Sequence, residues 1–189
     1  MTAIAWISLV ALLVAVASLV WNVINARKIR QQPRQIRQAE LRLNIQDLIY
    51  DLLEDLSRVG VGLESGQRAG EVSAHIGNLD RLLDRRQDDV QGISDYQIAG
   101  CRQLISAVRR AWLDAVHENK MLGYAVDELE LYRTKGNTTP KGLRDMEGRI
   151  RHCEAVKNAA ENKLHSAIEA ARAGLEALRG QLRALDTRN

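Results

Sequence analysis

The sequence has no phenylalanine, and aromatic residues make up only 4% of the chain. It has only two prolines, so almost nothing in it would interrupt the interior of a helix. Leucine, alanine, arginine, glutamate and aspartate dominate instead, which is a composition typical of helical proteins. We therefore expect an all-α fold.

Cysteine is equally scarce, since Cys101 and Cys153 are the only two in the chain. Isolated cysteines in a cytosolic protein remain reduced, and they behave as small apolar side chains. We expect both cysteines to pack in this way.

Signatures of enzymatic chemistry are also missing. The sequence has neither a glycine-rich phosphate loop nor a serine-centred nucleophile elbow. The i, i+4 pairs Glu71/His75 and Glu161/His165 differ from the Glu-x-x-His motif of di-iron bundles. Basic pairs lack the interleaved aromatics of nucleic-acid sites. The sequence thus predicts a non-enzymatic protein with no cofactor, metal, small-molecule substrate or nucleic-acid partner.

The first 26 residues carry no charged side chain. A helix from Ala3 to Ile24 would be about 33 Å long, enough to cross a hydrocarbon core of about 30 Å. Trp6 and Trp21 lie near its ends, where aromatic rings favour the headgroup level. These features predict a single transmembrane anchor over residues 1–26. A cleaved signal peptide is the alternative, because Ala15-Val16-Ala17 fits a cleavage site, but a positive n-region is missing.

One face of the predicted anchor is small or polar. Its members recur at spacings of three and four: Ser8, Ala11, Ala15, Ser18, Asn22 and Asn25. Small residues let transmembrane helices approach closely, and Ser or Asn can hydrogen-bond across the contact. We expect self-association through this stripe, with an ordinary alanine-rich anchor as the alternative.

A basic linker, residues 27–37, follows the anchor. Its positive side chains are Arg27, Lys28, Arg30, Arg34 and Arg37, and the first acid is Glu40. The positive-inside rule places this flank in the cytoplasm and the short N-terminus outside the cell membrane. Attraction of anionic membrane lipid is an equally compatible role for the five charges. These five of the 27 basic residues precede every acid. The other 22 basic residues are set against 24 acids, so the rest of the chain is slightly acidic.

Residues 38–92 predict two shorter amphipathic helices. The first runs from about Arg34 to Val59, and the second from about Arg68 to Arg86, with apolar residues at helical spacing in both. The glycine-rich break between them contains Gly60, Gly62, Gly66 and Gly70.

Residues 93–189 predict a long antiparallel hairpin. Ser94 and Gln97 form a capping box that starts one helix, and Thr139 with Pro140 starts the next. Apolar residues then alternate at spacings of three and four, as in a coiled-coil seam, and the second helix continues to Asp186.

Folding about residue 138 aligns the two long helices. This register puts Trp112 opposite Leu164 and brings together the two polar seam residues, Asn119 and Lys157. A polar pair inside a seam fixes register. The cysteines then lie about 30 Å apart along the hairpin, too far for an intramolecular disulfide.

The assembled prediction is an up-down helical bundle whose hairpin tip, residues 136–140, projects beyond the shorter helices. Tyr132, Asn137 and Thr138 at this tip are the predicted partner contacts, since aromatic residues are enriched at interfaces. In a less compact alternative, the seams pair between chains.

These features together predict a membrane-tethered scaffold or adaptor. It would form a homo-oligomer and present its cytosolic hairpin to a partner protein whose identity the sequence does not specify. The alternative function is a reversed-topology protein that spans envelope layers or aids lysis.

Overall fold

The computed structural model describes Trp21 and residues 36–85, 92–135 and 138–187. The chain divides into two compact units, Met1–Arg42 and Leu43–Asn189. Except for Trp21, Ile36 and Arg37, the predicted anchor, its self-association stripe and the basic linker lie outside the described residues. No helix in the described part of the chain is long and apolar enough to cross a membrane.

Four helices account for nearly all of the residues from 36 onward that are described. They are α1 (residues 36–64), α2 (Ala74–Arg85), α3 (Asp95–Thr134) and α4 (Pro140–Asp186). The same residues contain no strand. The predicted all-α fold and helical bundle are confirmed.

Helix α1 ends later than predicted. It continues through Gly60 and Gly62 to residue 64, so the expected end at Val59 is wrong. The stop is Gly66, whose φ of +77° suits glycine. The N–H groups of Gly66 and Gln67 donate to the carbonyls of Leu63 and Gly62 at 3.0 and 2.8 Å. This is a Schellman cap, which satisfies the last carbonyls of the helix.

Two glycines of this segment should respond to alanine in opposite ways. Gly66→Ala forces a side chain into the left-handed region, so we expect a loss of about 1 kcal/mol in the free energy of unfolding. Gly60→Ala adds a Cβ 3.9 Å from Ile168 Cγ2, an ordinary contact inside a helix, and should gain about 0.5–1 kcal/mol. Urea denaturation followed by circular dichroism measures both, and equal effects would refute the assignment of the cap.

Helix α2 begins at Ala74 rather than at Arg68. Ser73 Oγ accepts the His75 N–H at 3.2 Å and so caps its first turn. The preceding residues are not helical, because the Gly70 carbonyl accepts a hydrogen bond from the Trp112 indole at 2.9 Å instead. The predicted end near Arg86 and the residues up to 91 lie outside the described part.

Helices α3 and α4 begin where the sequence predicts. Ser94 and Gln97 form the reciprocal capping box at the start of α3. Thr139 accepts the Gly142 N–H, with Pro140 at the first helical position of α4. Helix α4 then continues through Gly174 and Gly180 to Asp186.

Neighbouring helices of the second unit run antiparallel. Asp114 pairs with Lys163 at 3.2 Å and Glu128 with Arg149 at 3.0 Å, which fixes the direction of α3 against α4. Gln46 near the start of α1 donates to Asp186 at the end of α4 at 2.8 Å. Helix α2 contacts α3 through Arg102, which pairs with Asp84 at 2.8 Å.

The core lies where all four helices meet. Its largest fully buried side chains are Trp112, Ile45, Ile49, Leu52, Leu56, Ile76, Leu79, Leu83, Ile98, Ile105, Leu164 and Ile168. In α4 the buried residues begin at Leu164, so residues 140–163 contribute none. The distal parts of α3 and α4, residues 120–134 and 140–160, therefore form a two-helix arm beyond the core.

The predicted seam is partly wrong within this arm. Val126 is 37% exposed, whereas its neighbour Ala125 is buried. A straight α-helix drifts by about 20° per heptad relative to a strict 3.5-residue repeat, so the contact line moves away from the heptad position. In the arm α3 packs against only one other helix, α4. Where the two helices approach closely, the small side chain of Ala125 is enough to fill the contact.

Candidate functional site on the helical arm

A polar cluster lies at the base of the arm, between α3 and α4. Asn119 Nδ2 donates to Glu161 Oε1 at 3.2 Å and to the Ala115 carbonyl at 3.0 Å. Lys157 Nζ pairs with Glu161 Oε2 at 2.9 Å. Glu161 thus bridges Asn119 and Lys157, the two polar seam residues that the sequence pattern predicts to lie side by side. We call Asn119, Lys157 and Glu161 the polar node.

The polar node is shielded from solvent. The Lys157 and Glu161 side chains are only 18% and 15% exposed, so their ion pair is weakly screened. Asn119 is buried, and within the described part of the chain its Oδ1 has no hydrogen-bond partner. An unsatisfied buried acceptor costs stability, which is consistent with a role in specifying alignment rather than in stabilising the hairpin. That role in register stays a prediction.

A polar cleft of about 420 Å³ borders the node. Leu63 and Glu64 at the end of α1 line it together with polar side chains of α4, among them Asn158 and His165. His165 Nε2 lies 3.9 Å from Glu64 Oε1. Across the described residues no group of His, Cys, Asp and Glu could hold a metal ion.

At the tip of the arm, Tyr132 closes the turn between the helices. Its hydroxyl accepts the Thr139 N–H at 3.2 Å and lies 3.3 Å from Thr139 Oγ1. These hydrogen bonds from the Thr139 side chain and backbone lower the pKa of Tyr132 below its ordinary value. The ring lies against Gly142, where an added Cβ would collide with the Tyr132 hydroxyl.

This placement changes how the predicted contact residues are interpreted. The Tyr132 hydroxyl is engaged within the chain, Thr138 is exposed, and Asn137 lies outside the described residues. Contact of these three with a partner stays a prediction. The most exposed apolar side chains of the arm are instead Tyr124 and Leu131, at 65% and 61%. Their spacing of seven residues on an otherwise polar face was the sequence signal that could have identified them.

A second cluster joins α1 to α2 and has the residue types of a hydrolase triad. Ser73 Oγ donates to Asp55 Oδ2 at 2.5 Å, and His75 Nδ1 lies 2.8 Å from the same oxygen. In a catalytic triad the serine contacts the histidine, which contacts the acid in turn. Here both contact one carboxylate oxygen, while the Ser73 oxygen also caps α2. The arrangement supports a structural junction and not nucleophilic catalysis.

This junction should make stability depend on acid. Burial raises the pKa of Asp55, but hydrogen bonds from Ser73 and His75 and the charges of His75 and Arg58 outweigh it, so the pKa falls below 3.8. A carboxyl group whose pKa is lowered by folding stabilises the protein at pH values above its ordinary pKa. That stabilisation is lost as the pH falls through the folded-state pKa.

We therefore expect Asp55→Asn to cost about 1–2 kcal/mol near pH 5, since hydrogen bonds to a charged group are lost. The gap between the variant and the natural protein should narrow at a lower pH, as the pH falls through the folded-state pKa of Asp55 and the carboxyl becomes protonated. Urea denaturation at both pH values measures it. A gap that stays constant over this range would contradict an ionised Asp55 at the junction.

The two cysteines differ in their surroundings. Cys101 is buried, its Sγ donates to the Gly174 carbonyl at 3.7 Å, and burial raises its pKa. Cys153 is only half-buried on the arm. Neither is in a disulfide.

Comparison with known proteins identifies no relative. No family model, characterised protein or solved structure matches the chain.

Proposed function

We propose that this protein is a non-enzymatic, membrane-tethered helical adaptor. Residues 1–26 form its transmembrane anchor, the basic linker sets its orientation, and the bundle lies in the cytoplasm. The arm binds a partner protein. The observation that carries the proposal is the arm itself, in which two helices continue past the core with their apolar residues only partly covered.

An arm of this kind adds little to the stability of its own domain. Residues 140–163 contribute no buried side chain, and Leu143, Met146 and Ile150 along the seam are only half-buried. Stability comes mainly from apolar surface removed from water, so a long half-covered seam is poorly explained by folding alone. Partly exposed apolar helices are typical of surfaces that bind other helices.

Tyr124 and Leu131 are the proposed anchors for the partner. Both are more than half exposed on one side of α3, and tyrosine and other large side chains often dominate the binding energy of an interface. We extend the predicted contact residues, Tyr132, Asn137 and Thr138, to include these two.

Site-specific photo-crosslinking in cells tests the partner contact. A photo-reactive amino acid at Tyr124 should give a discrete crosslinked band that Leu131→Lys removes. Tyr50 on α1, 58% exposed, is the matched control and should not give that band. Identical bands from both positions, or none from Tyr124, would refute the arm as the binding surface.

Membrane attachment and orientation need a separate test. We expect the full chain to remain in the membrane fraction after carbonate washing. A C-terminal fusion should report a cytosolic location, because the basic flank follows the anchor. Export of the C-terminal reporter would instead support the reversed topology. Release of the chain by carbonate would refute the anchor.

A further inference from the structure

One lengthwise face of the hairpin is distinct from the face that carries α1 and α2. On α4, one stripe recurs at spacings of four and three from Glu147 through Arg151, Glu154, Asn158 and Glu161 to His165, and its last three members line the cleft at the end of α1. Side chains at such spacings share one side of a helix. Glu147 also pairs with Arg133 at 3.7 Å, so this side includes the corresponding part of α3.

The opposite side of the hairpin carries another pair of stripes, which we call the open face. On α3 it comprises Asp114, Glu118, Met121 and Glu128. On α4 it comprises Arg149, Cys153, Val156, Ala160 and Lys163. The ion pairs Asp114–Lys163 and Glu128–Arg149 join the two stripes, which places both on the same side of the hairpin.

The open face is apolar along its middle and charged toward its ends. Met121 is 41% exposed, and Cys153, Val156 and Ala160 are half-buried. The charge is divided between the helices. Every charged residue of the α3 stripe is acidic, and every charged residue of the α4 stripe is basic. Their side chains are half or more exposed in both ion pairs, so further partners can reach them.

A second copy of the chain, held in one orientation, would complement this division of charge. A twofold axis parallel to the arm places α3 of one chain over α4 of its partner, so acids face bases at both ends. A twofold axis across the arm would place α3 over α3 and bring the acids together. Juxtaposed like charges oppose association, whereas alternating charges favour it.

We propose that the open face is a self-association surface, through which two chains pair with their arms parallel and their tips at the same end. The inference rests on the proposed adaptor function and deepens it by naming the chain's own copy as the occupant of one face. Parallel arms also let both N-terminal segments leave from the same side, as anchors in one membrane require.

A charge-swapped variant tests this pairing. It carries Asp114→Lys, Glu128→Arg, Arg149→Glu and Lys163→Asp, which reverses the charges of both ion pairs and keeps each pair within the chain. The variant should pair with itself as the natural chain does. In a mixture of the two, acid would face acid across the interface, so heterodimers should fall at least about fivefold below the statistical fraction.

The experiment uses the full chain, purified in a mild detergent, mixed and analysed by native mass spectrometry. The matched control is Arg133→Glu with Glu147→Arg, which swaps the ion pair on the opposite side and should mix freely with the natural chain. If the chains paired only through the anchor, the open-face variant would mix freely with the natural chain. That result would overturn the proposal. A monomeric natural chain also overturns it, and leaves the membrane and crosslinking tests of the proposed function unaffected.

Orientation has its own measurement. A spin label on Lys141→Cys in a Cys153→Ser background should give one short distance between the two tips. An antiparallel pair centred on Val156 would separate the labels by about 45 Å along the arms at about 1.5 Å per residue. A distance of that size would overturn the parallel arrangement.

Discussion

Trp112→Ala should cost about 3–5 kcal/mol in the free energy of unfolding, the largest effect we expect from a single substitution. Trp112 is the largest fully buried side chain, and it lies on α3 at the level where the core ends and the arm begins. Its indole N–H donates to the Gly70 carbonyl at 2.9 Å, which holds the non-helical segment between α1 and α2 against α3. The substitution therefore creates a cavity and leaves a backbone carbonyl without its donor.

The conservative change Trp112→Phe separates these two effects. It keeps most of the apolar volume but removes the N–H, so we expect a smaller loss of about 1–2 kcal/mol. Urea denaturation followed by circular dichroism measures both variants without depending on tryptophan fluorescence. If the two variants lost equal stability, the hydrogen bond and not the packing would dominate, contrary to the structure.

The starts of α3 and α4 and the core could be predicted from the sequence because their determinants are local or periodic. The capping box at Ser94 and the Thr139–Pro140 start each involve side chains a few residues apart, and both are present. Helical spacing alone predicts that Trp112 and Leu164 face each other in the core, and both are buried.

Helix ends in the glycine-rich segment could not be predicted in the same way. Gly60, Gly62, Gly66 and Gly70 look equivalent in sequence, yet of these four only Gly66 has a positive φ. Gly60 stays helical because α1 packs against Ile168 of α4 at that point, and tertiary packing overrides a weak helix propensity. The late start of α2 has a similar cause, since Trp112 from a distant part of the chain bonds to Gly70.

The candidate site was harder to predict because it depends on where one helix ends relative to another. The sequence indicated that Asn119 and Lys157 would meet, but not that Glu161 would lie between them. The sequence pattern places Glu161 only in an i, i+4 pair with His165. Its inward position follows from the observed alignment of α3 and α4, in which it accepts from Asn119 across the hairpin.

Glu161→Ala should cost about 2–3 kcal/mol, the second-largest effect we expect. Glu161 accepts from Asn119 and pairs with Lys157, and both it and the lysine are mostly covered. Removing one partner leaves a poorly solvated lysine charge and an amide with one fewer acceptor. Asp114→Ala is the matched control, because its ion pair with Lys163 lies in the same hairpin but is half-exposed, and should cost less than about 1 kcal/mol.

Replacing the whole node should reverse the sign of the effect. With Asn119→Leu, Lys157→Leu and Glu161→Leu together, no buried charge or amide remains unsatisfied, so stability should equal or exceed that of the natural protein. What should be lost is the unique alignment of the helices, because an all-leucine contact tolerates a shift by one turn.

A thiol crosslink reports that alignment. In an Asp114→Cys, Lys163→Cys background that also carries Cys153→Ser, the ion-paired positions place the two thiols on the same side of the hairpin, and a bifunctional maleimide should join them quickly with the polar node intact. With the node replaced by leucine, crosslinking should slow or give mixed products while unfolding shifts to higher urea. If the leucine variant were both more stable and equally uniform in its crosslinking, the node would have no part in alignment. If stability were kept but crosslinking became non-uniform, Asn119, Lys157 and Glu161 would serve the specificity of helix alignment. An arm that presents one defined surface requires such specificity.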